Sequence, residues 1–202
     1  MAYTEQCRDV SELNILCQML LEKALIEIRS VGINPLIVET YRTQARQNYL
    51  YSVGRTVTGT KVTWTQASIH TSKNAVDLVP QRNINGKMTA IWNAGDKETK
   101  KIIETMVKYG FEAGANWAVS PDSPHFQIKN VSSSAKSYSE DNTNTYITKL
   151  IQKLLNTKMK AELIVDGKWG AKTTRAVNKF RAQQGWVEDG KVGIQTLKKL
   201  LA

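Results

Sequence analysis

The sequence is poor in the features that would fix a fold covalently or place it in a membrane. It has two cysteines among 202 residues, Cys7 and Cys17. That is too few for a disulfide scaffold, and their closeness near one N-terminal helix reads as free thiols. No apolar run approaches the roughly 18 residues a membrane span needs. The opening MAYTEQCRDV lacks the basic and apolar regions of a signal peptide, so synthesis in the cytoplasm without an export tag is expected. Histidine is equally scarce, with only His70 and His125. Acidic side chains are in deficit: 28 Lys and Arg against 18 Asp and Glu give a net charge of +10. Such a balance calls for anionic surroundings, and nucleic acid, anionic lipid and bacterial cell wall all qualify.

What is present describes an ordinary folded chain. Hydrophobic residues make up 41% and charged residues 23%, which excludes disordered and collagen-like classes. The length suits one medium domain, or a domain of about 130 residues with a smaller one attached. The charge is uneven: residues 1–130 carry 15 basic and 12 acidic side chains, residues 131–202 carry 13 and 6. Between the two lies a polar stretch rich in Ser, Asn and Thr, over 131–145, that reads as a linker.

Upstream of the linker, Asp9 with Glu12 resembles a capping pair. Leu13, Leu16, Cys17, Leu20, Ala24, Ile28 and Val31 then recur at helical spacing until Gly32. A strand is expected over 36–40, a helix from Gln44 to Val53 stopped by Gly54, and a strand over 75–79. A helix from Glu98 to Tyr109 closed by Gly110 and a last strand over 125–128 complete this half. Helices and strands mix without regular alternation, so the class is α+β.

Downstream lies an internal repeat. Asp166-Gly-Lys-Trp-Gly170 followed by Thr173 recurs as Asp189-Gly-Lys-Val-Gly193 followed by Thr196, an offset of 23 residues. Each is a turn signal ahead of an apolar helical pattern. With Ile147, Leu150, Ile151, Leu154 and Leu155 before them, the tail reads as a three-helix module. Trp169 and Trp186 are core aromatics or sugar-stacking residues, with burial the better reading in so small a module.

The two histidines stand near carboxylates. His70 precedes Asp77 by seven residues and His125 follows Asp122 by three. Imidazole and carboxylate are first-choice zinc ligands, and a catalytic zinc takes three protein ligands beside a water. Two histidines and one of the two aspartates complete that set, leaving the other aspartate for proton transfer. Spacing alone leaves open that both histidines are ordinary surface or core residues, because H-x6-D is no helical pair.

Resemblance goes further. Ser68-Ile-His-Thr-Ser-Lys-Asn-Ala-Val-Asp77 resembles the S-x-H-x-x-G-x-A-x-D signature of the LAS/VanY group of zinc peptidases, and Asp122-Ser-Pro-His125-Phe resembles its D-x-P-H-F box. Tyr41-Arg-Thr-x-Ala-x-Gln47, Leu50-Tyr51, Gly54-Arg-Thr56, Gly59 and Val62-Thr63 are similar to the corresponding region of phage L-alanyl-D-glutamate peptidases. The resemblance implies a small antiparallel sheet with flanking helices, with His70, Asp77 and His125 binding zinc and Asp122 as catalytic acid/base. It also implies Arg42 near the substrate carbonyl and Ser68 binding substrate or orienting the metal shell. Arg42 as an ion-pair residue and Ser68 as a turn residue stay open. Lys73 replaces the signature glycine, implying a different backbone turn between the ligands. Asn116 stands where the family often has aspartate before Trp117.

Residues 145–202 resemble the type 1 peptidoglycan-binding domain, through I-Q-K-L-L at 151–155, the two D-G-K repeats, Ala176-Val177, Phe180 and Leu200. A structural helical appendage is the plain alternative. The expected organisation is a zinc peptidase domain over 1–130, a linker over 131–145 and a peptidoglycan-binding domain over 146–202. The expected protein is a phage-type endolysin cutting L-alanyl-D-glutamate bonds, with a D-alanyl-D-alanine carboxypeptidase and a non-catalytic wall binder as alternatives. Its partner is peptidoglycan. Nucleic acid and stable membrane insertion are not expected, and the chain acts as a monomer on the wall after release from the host cytoplasm.

Overall fold

The computed structural model describes residues 4–129 and 136–202. The chain divides into two compact units, Met1–Ile128 and Lys129–Ala202. Among the described residues no helix is long and apolar enough to cross a membrane. Both cysteines are free and buried, and burial pushes the Cys17 thiol well up.

The first unit is built on helix α1 (Ile15–Ser30), whose Leu16, Cys17, Leu20, Leu21, Ala24 and Ile28 are all buried. Its cap is Asn14, whose side chain accepts from Leu16 N–H. Asp9 instead caps a separate 3-10 turn, Val10–Glu12. The D-x-x-E pattern therefore marks the turn before the helix, and Leu13 lies between the two. Strand β1 (Pro35–Glu39), helix α2 (Gln44–Ser52), strand β2 (Ala75–Ile84) and helix α3 (Lys97–Lys108) follow.

β2 runs beyond the expected 75–79 and turns through Asn85 and Gly86, both at positive φ, into strand β3 (Lys87–Ala90). That is the two-residue hairpin an Asn-Gly pair favours. Strands β4 (Glu112–Ala113) and β5 (His125–Gln127) complete an antiparallel sheet in the order β1-β2-β5-β4, with β3 also on β2. α1 and α3 pack against each other and against strands. Val76, Leu78, Ile102, Met106 and Phe126 fill the space between with almost no exposure.

Among its described residues the second unit has three α-helices, α4 (Thr145–Met159), α5 (Ala171–Gln183) and α6 (Ile194–Leu201). Ile147, Ile151, Leu155, Val177, Phe180, Leu197 and Leu200 form its core. The D-G-K repeats are matching turns: Asp166 accepts from Lys168 N–H and Asp189 from Lys191 N–H, each at 2.9 Å. Gly167 has no room for a side chain, because a Cβ there would meet the Thr145 carbonyl at 2.6 Å. Trp169 is buried, while Trp186 is only half-buried, which corrects its expected place in the core.

Of the expected linker, 131–135 lie outside the described residues. The rest is structured. Strand β6 (Ser137–Tyr138) pairs with β7 (Val192–Gly193), and Tyr138 is buried. An aromatic ring with a sheet edge to dock on overrides the polar composition around it.

Candidate metal centre

Three local structures bring the candidate ligands together. Asp77 and His125 stand directly opposite each other on β2 and β5, the spacing at which cross-strand side chains meet. His70 sits in a 3-10 turn, Ile69–Ser72, just before β2, and its Nδ1 lies 2.6 Å from the Thr40 carbonyl at the end of β1. His70 Nε2 is 3.1 Å from Asp77 Oδ1 and 3.2 Å from His125 Nδ1, which is itself 3.2 Å from Asp77 Oδ1. Both histidines are buried.

Each outer ring nitrogen faces a group that only accepts. In the neutral ring, His70 Nδ1–H donating to the Thr40 carbonyl leaves Nε2 as a lone-pair donor for a metal. Gln127 Oε1, 3.1 Å from His125 Nε2, does the same for His125 Nδ1.

The fit to zinc is close. Tetrahedral ligands about 2.0–2.1 Å from zinc lie roughly 3.3 Å apart. The donor set of two neutral imidazoles and one carboxylate is that of catalytic zinc with one position left open. Burial works against ionising Asp77, but the two imidazoles outweigh it and hold the carboxyl well below its usual range. Burial likewise opposes the charged form of His125, and Asp77 more than offsets it, raising that imidazole.

Asp122 is exposed, and its carboxyl is raised above the ordinary carboxylate range by lost hydration and by the negative Asp77; His125, His70 and Arg42 act in the opposite direction. Its loop packs on Gly114, where a Cβ would come within 2.5 Å of the Asp122 carbonyl and 3.2 Å of His125 Cβ. Arg42 is largely committed within the protein. Its Nε and one terminal nitrogen donate to Glu39 Oε2 at 3.1 and 2.5 Å, and the other donates to Gln47 Oε1 at 2.7 Å. A guanidinium nitrogen stands 3.7 Å from Asp77 Oδ2. Ser68 holds the turn that carries His70, accepting from its N–H at 3.4 Å.

Lys73 adopts the left-handed conformation that glycine takes most easily, at φ 63°, and its ammonium pairs with Glu12 at 2.8 Å over the Tyr41 ring. Asn116 is exposed at the end of a 3-10 turn, Gly114–Asn116.

Several supporting residues escaped sequence reading. Glu39 is buried between Arg42 and Arg46, the latter donating at 2.5 Å. A lone charge closing an apolar strand was the available signal. Glu112, Gln127 and Trp117 form a hydrogen-bonded chain behind His125, for which only the parity of His125 and Gln127 on one strand gave a hint.

Residues 58–128 match the family described as D-alanyl-D-alanine carboxypeptidase, and residues 147–200 match the putative peptidoglycan binding domain. The peptidoglycan L-alanyl-D-glutamate endopeptidase CwlK of Bacillus subtilis (strain 168) is 30% identical over 106 residues, which are 48% of this chain and 62% of that protein. The chain thus spans less than two thirds of this curated relative. A solved structure, the Serratia marcescens L-Ala D-Glu endopeptidase ChiX, aligns with 62% of this chain and 89% of its own at 21% identity and a TM-score of 0.47. By the two family matches, residues 58–128 are similar to M15-type peptidases and residues 147–200 to the peptidoglycan-binding family.

Proposed function

We propose that this chain is a zinc endopeptidase of the endolysin type that hydrolyses the L-alanyl-D-glutamate bond of peptidoglycan stem peptides, acting as a monomer held to the wall by its C-terminal unit. The observation that carries the reading is the convergence of His70 Nε2, Asp77 Oδ1 and His125 Nδ1 at 3.1–3.2 Å, with an accepting oxygen behind the outer nitrogen of each ring. Zinc bound there supplies Lewis acidity and lowers the pKa of water from about 15.7 towards about 7.

The remaining work belongs to side chains. Asp122 takes the proton of the attacking water on a carboxylate oxygen and hands it to the leaving amine nitrogen. Its raised affinity for a proton suits it to both transfers. Arg42 has two of its five N–H donors left after Glu39 and Gln47. It offers fixed positive charge to the developing oxyanion, a contribution worth about 3–4 kcal/mol where comparable donors have been removed. Ser68 keeps His70 in place by capping its turn. Binding of the C-terminal unit to the wall raises the local concentration of the enzyme on an insoluble substrate.

The test is mass spectrometry of muropeptides digested by the zinc-loaded chain, with a chelator control. New N-terminal D-glutamyl or isoglutaminyl ends, lost with chelator and regained with zinc, are the expected result. Release of free D-alanine instead establishes the second reading, a carboxypeptidase, which the description of the matched family favours. Products that persist in metal-free protein overturn both.

A further inference from the structure

The third donor of the cluster owes its orientation to groups behind it, and their chemistry imposes a polarity. β4 and β5 pair so that Glu112 stands opposite Gln127, and Gln127 follows His125 by two residues on the same face of β5. Gln127 Nε2 donates to Glu112 Oε2 at 2.8 Å. An ionised carboxylate has no proton to give, so the amide nitrogen must face Glu112 and the amide oxygen must face His125. That oxygen, 3.1 Å from His125 Nε2, accepts only. Nε2–H donating to that oxygen leaves the Nδ1 lone pair for a metal, in competition with Asp77 Oδ1, which would accept from Nδ1–H at 3.2 Å.

The far oxygen of Glu112 accepts from Trp117 Nε1 at 3.1 Å, and the Trp117 ring leans on that of His125 with centroids 5.2 Å apart. The reversed amide would turn its NH2 to the imidazole, demand a bare Nε2, and put a proton on Nδ1 where the metal belongs.

We propose that Glu112 is a positioning residue that acts through Gln127 to set the tautomer of His125, and so the readiness of the cluster to take a metal. The metal consequence rests on the zinc reading above, whereas the tautomer does not. The experiment uses the full chain. Nitrogen-15 NMR of the metal-free protein, at a pH above the His125 titration seen in the same spectra, reports which ring nitrogen of His125 is protonated. Competition with a chelator reports zinc affinity.

Glu112→Gln is nearly isosteric, but Trp117 Nε1–H holds its amide oxygen and leaves its NH2 facing Gln127, which must then turn its own oxygen to position 112 and its NH2 to His125. A shift to the Nδ1–H tautomer and a loss of zinc affinity of about 10–100-fold, the usual range for groups behind a ligand, are expected. Gln127→Glu sets two carboxylates face to face and loses affinity as well. The double variant E112Q/Q127E reverses the pair. The introduced amide accepts from Trp117 and donates to the introduced carboxylate, which accepts from His125 Nε2–H, so the single Nε2–H tautomer and most of the affinity return.

A purely structural role makes the two losses add instead of cancel, and that result overturns the proposal. So does Glu112→Gln with the parental tautomer and affinity. If the single variants unfold, a double variant that folds without recovering the Nε2–H tautomer also overturns it. A parent chain that binds no zinc defeats the peptidase reading, while the tautomer still decides the role of Glu112.

Discussion

Single atoms separate the roles of neighbouring residues at the site. Asp122→Asn removes the proton carrier and none of the three converging donors. Hydrolysis should fall by about 10²–10⁴-fold while zinc stoichiometry, measured on the purified protein, stays at one. Gly114→Ala tests placement in the absence of any chemical change. Its Cβ would come within 2.5 Å of the Asp122 carbonyl, so the loop must shift. We expect activity to drop on the order of 10²-fold for a stability cost of about 1–3 kcal/mol, read by assay and by chemical denaturation. In the second unit Tyr138 is 3% exposed, and its hydroxyl has no hydrogen-bond partner among the described residues. Burial raises its pKa to about 12, whereas the unfolded chain titrates near 10. Between these values the unfolded state has given up its proton and the native state has not, so stability falls as pH rises. The loss reaches about 2–3 kcal/mol above pH 12. Tyr138→Phe should abolish that component and be at least as stable at pH 7, as urea melts across the range will show.

Elements bring distant residues to one place, and one irregularity matters most. Between β1 and β2, Ile37 pairs with Leu78 but Glu39 pairs with Asp77, so Val38 is an extra residue, a bulge beside the site. It brings Glu39, and through it Arg42, level with the cluster. Glu39 is 2% exposed between two guanidinium groups. Glu39→Gln leaves those charges short of a partner, and a loss of about 3–5 kcal/mol is expected, measurable as a shift in denaturation midpoint. Most elements could be read from periodicity: α1, α2, α3 and the tail helices follow three- and four-residue recurrences that local sequence contains. Asn14 as the cap of α1 and the β2–β3 hairpin went unread. Asp9 offered a competing cap signal, and Asn85-Gly86 lay outside any expected strand. The bulge left no trace, because a register shift is set by what packs on both faces of a sheet and not by the residues that shift.

At the scale of the molecule, the charge of +10 bears on the proposed attachment to the wall. If attraction to anionic polymer assists adhesion, binding to purified sacculi should weaken steadily with salt. The Debye length shrinks from about 10 Å at 0.1 M to about 3 Å at 1 M. Sedimentation with sacculi across that range measures it, and binding indifferent to salt would assign adhesion to uncharged contacts. The residue types of the cluster, the glycines that permit its turns and the helices that bury its core were all present in the sequence by itself, because helix period and turn chemistry depend on neighbours a few positions away. Only tertiary structure decided that His70 and His125, 55 positions apart, turn ring nitrogens to within 3.2 Å of each other. It alone also set Glu112 and Gln127 behind them and closed Tyr138 onto a sheet that composition had marked as linker. Those outcomes rest on strand register and on which atom of a pair holds the proton, and both are fixed by partners that the chain brings together only when it folds.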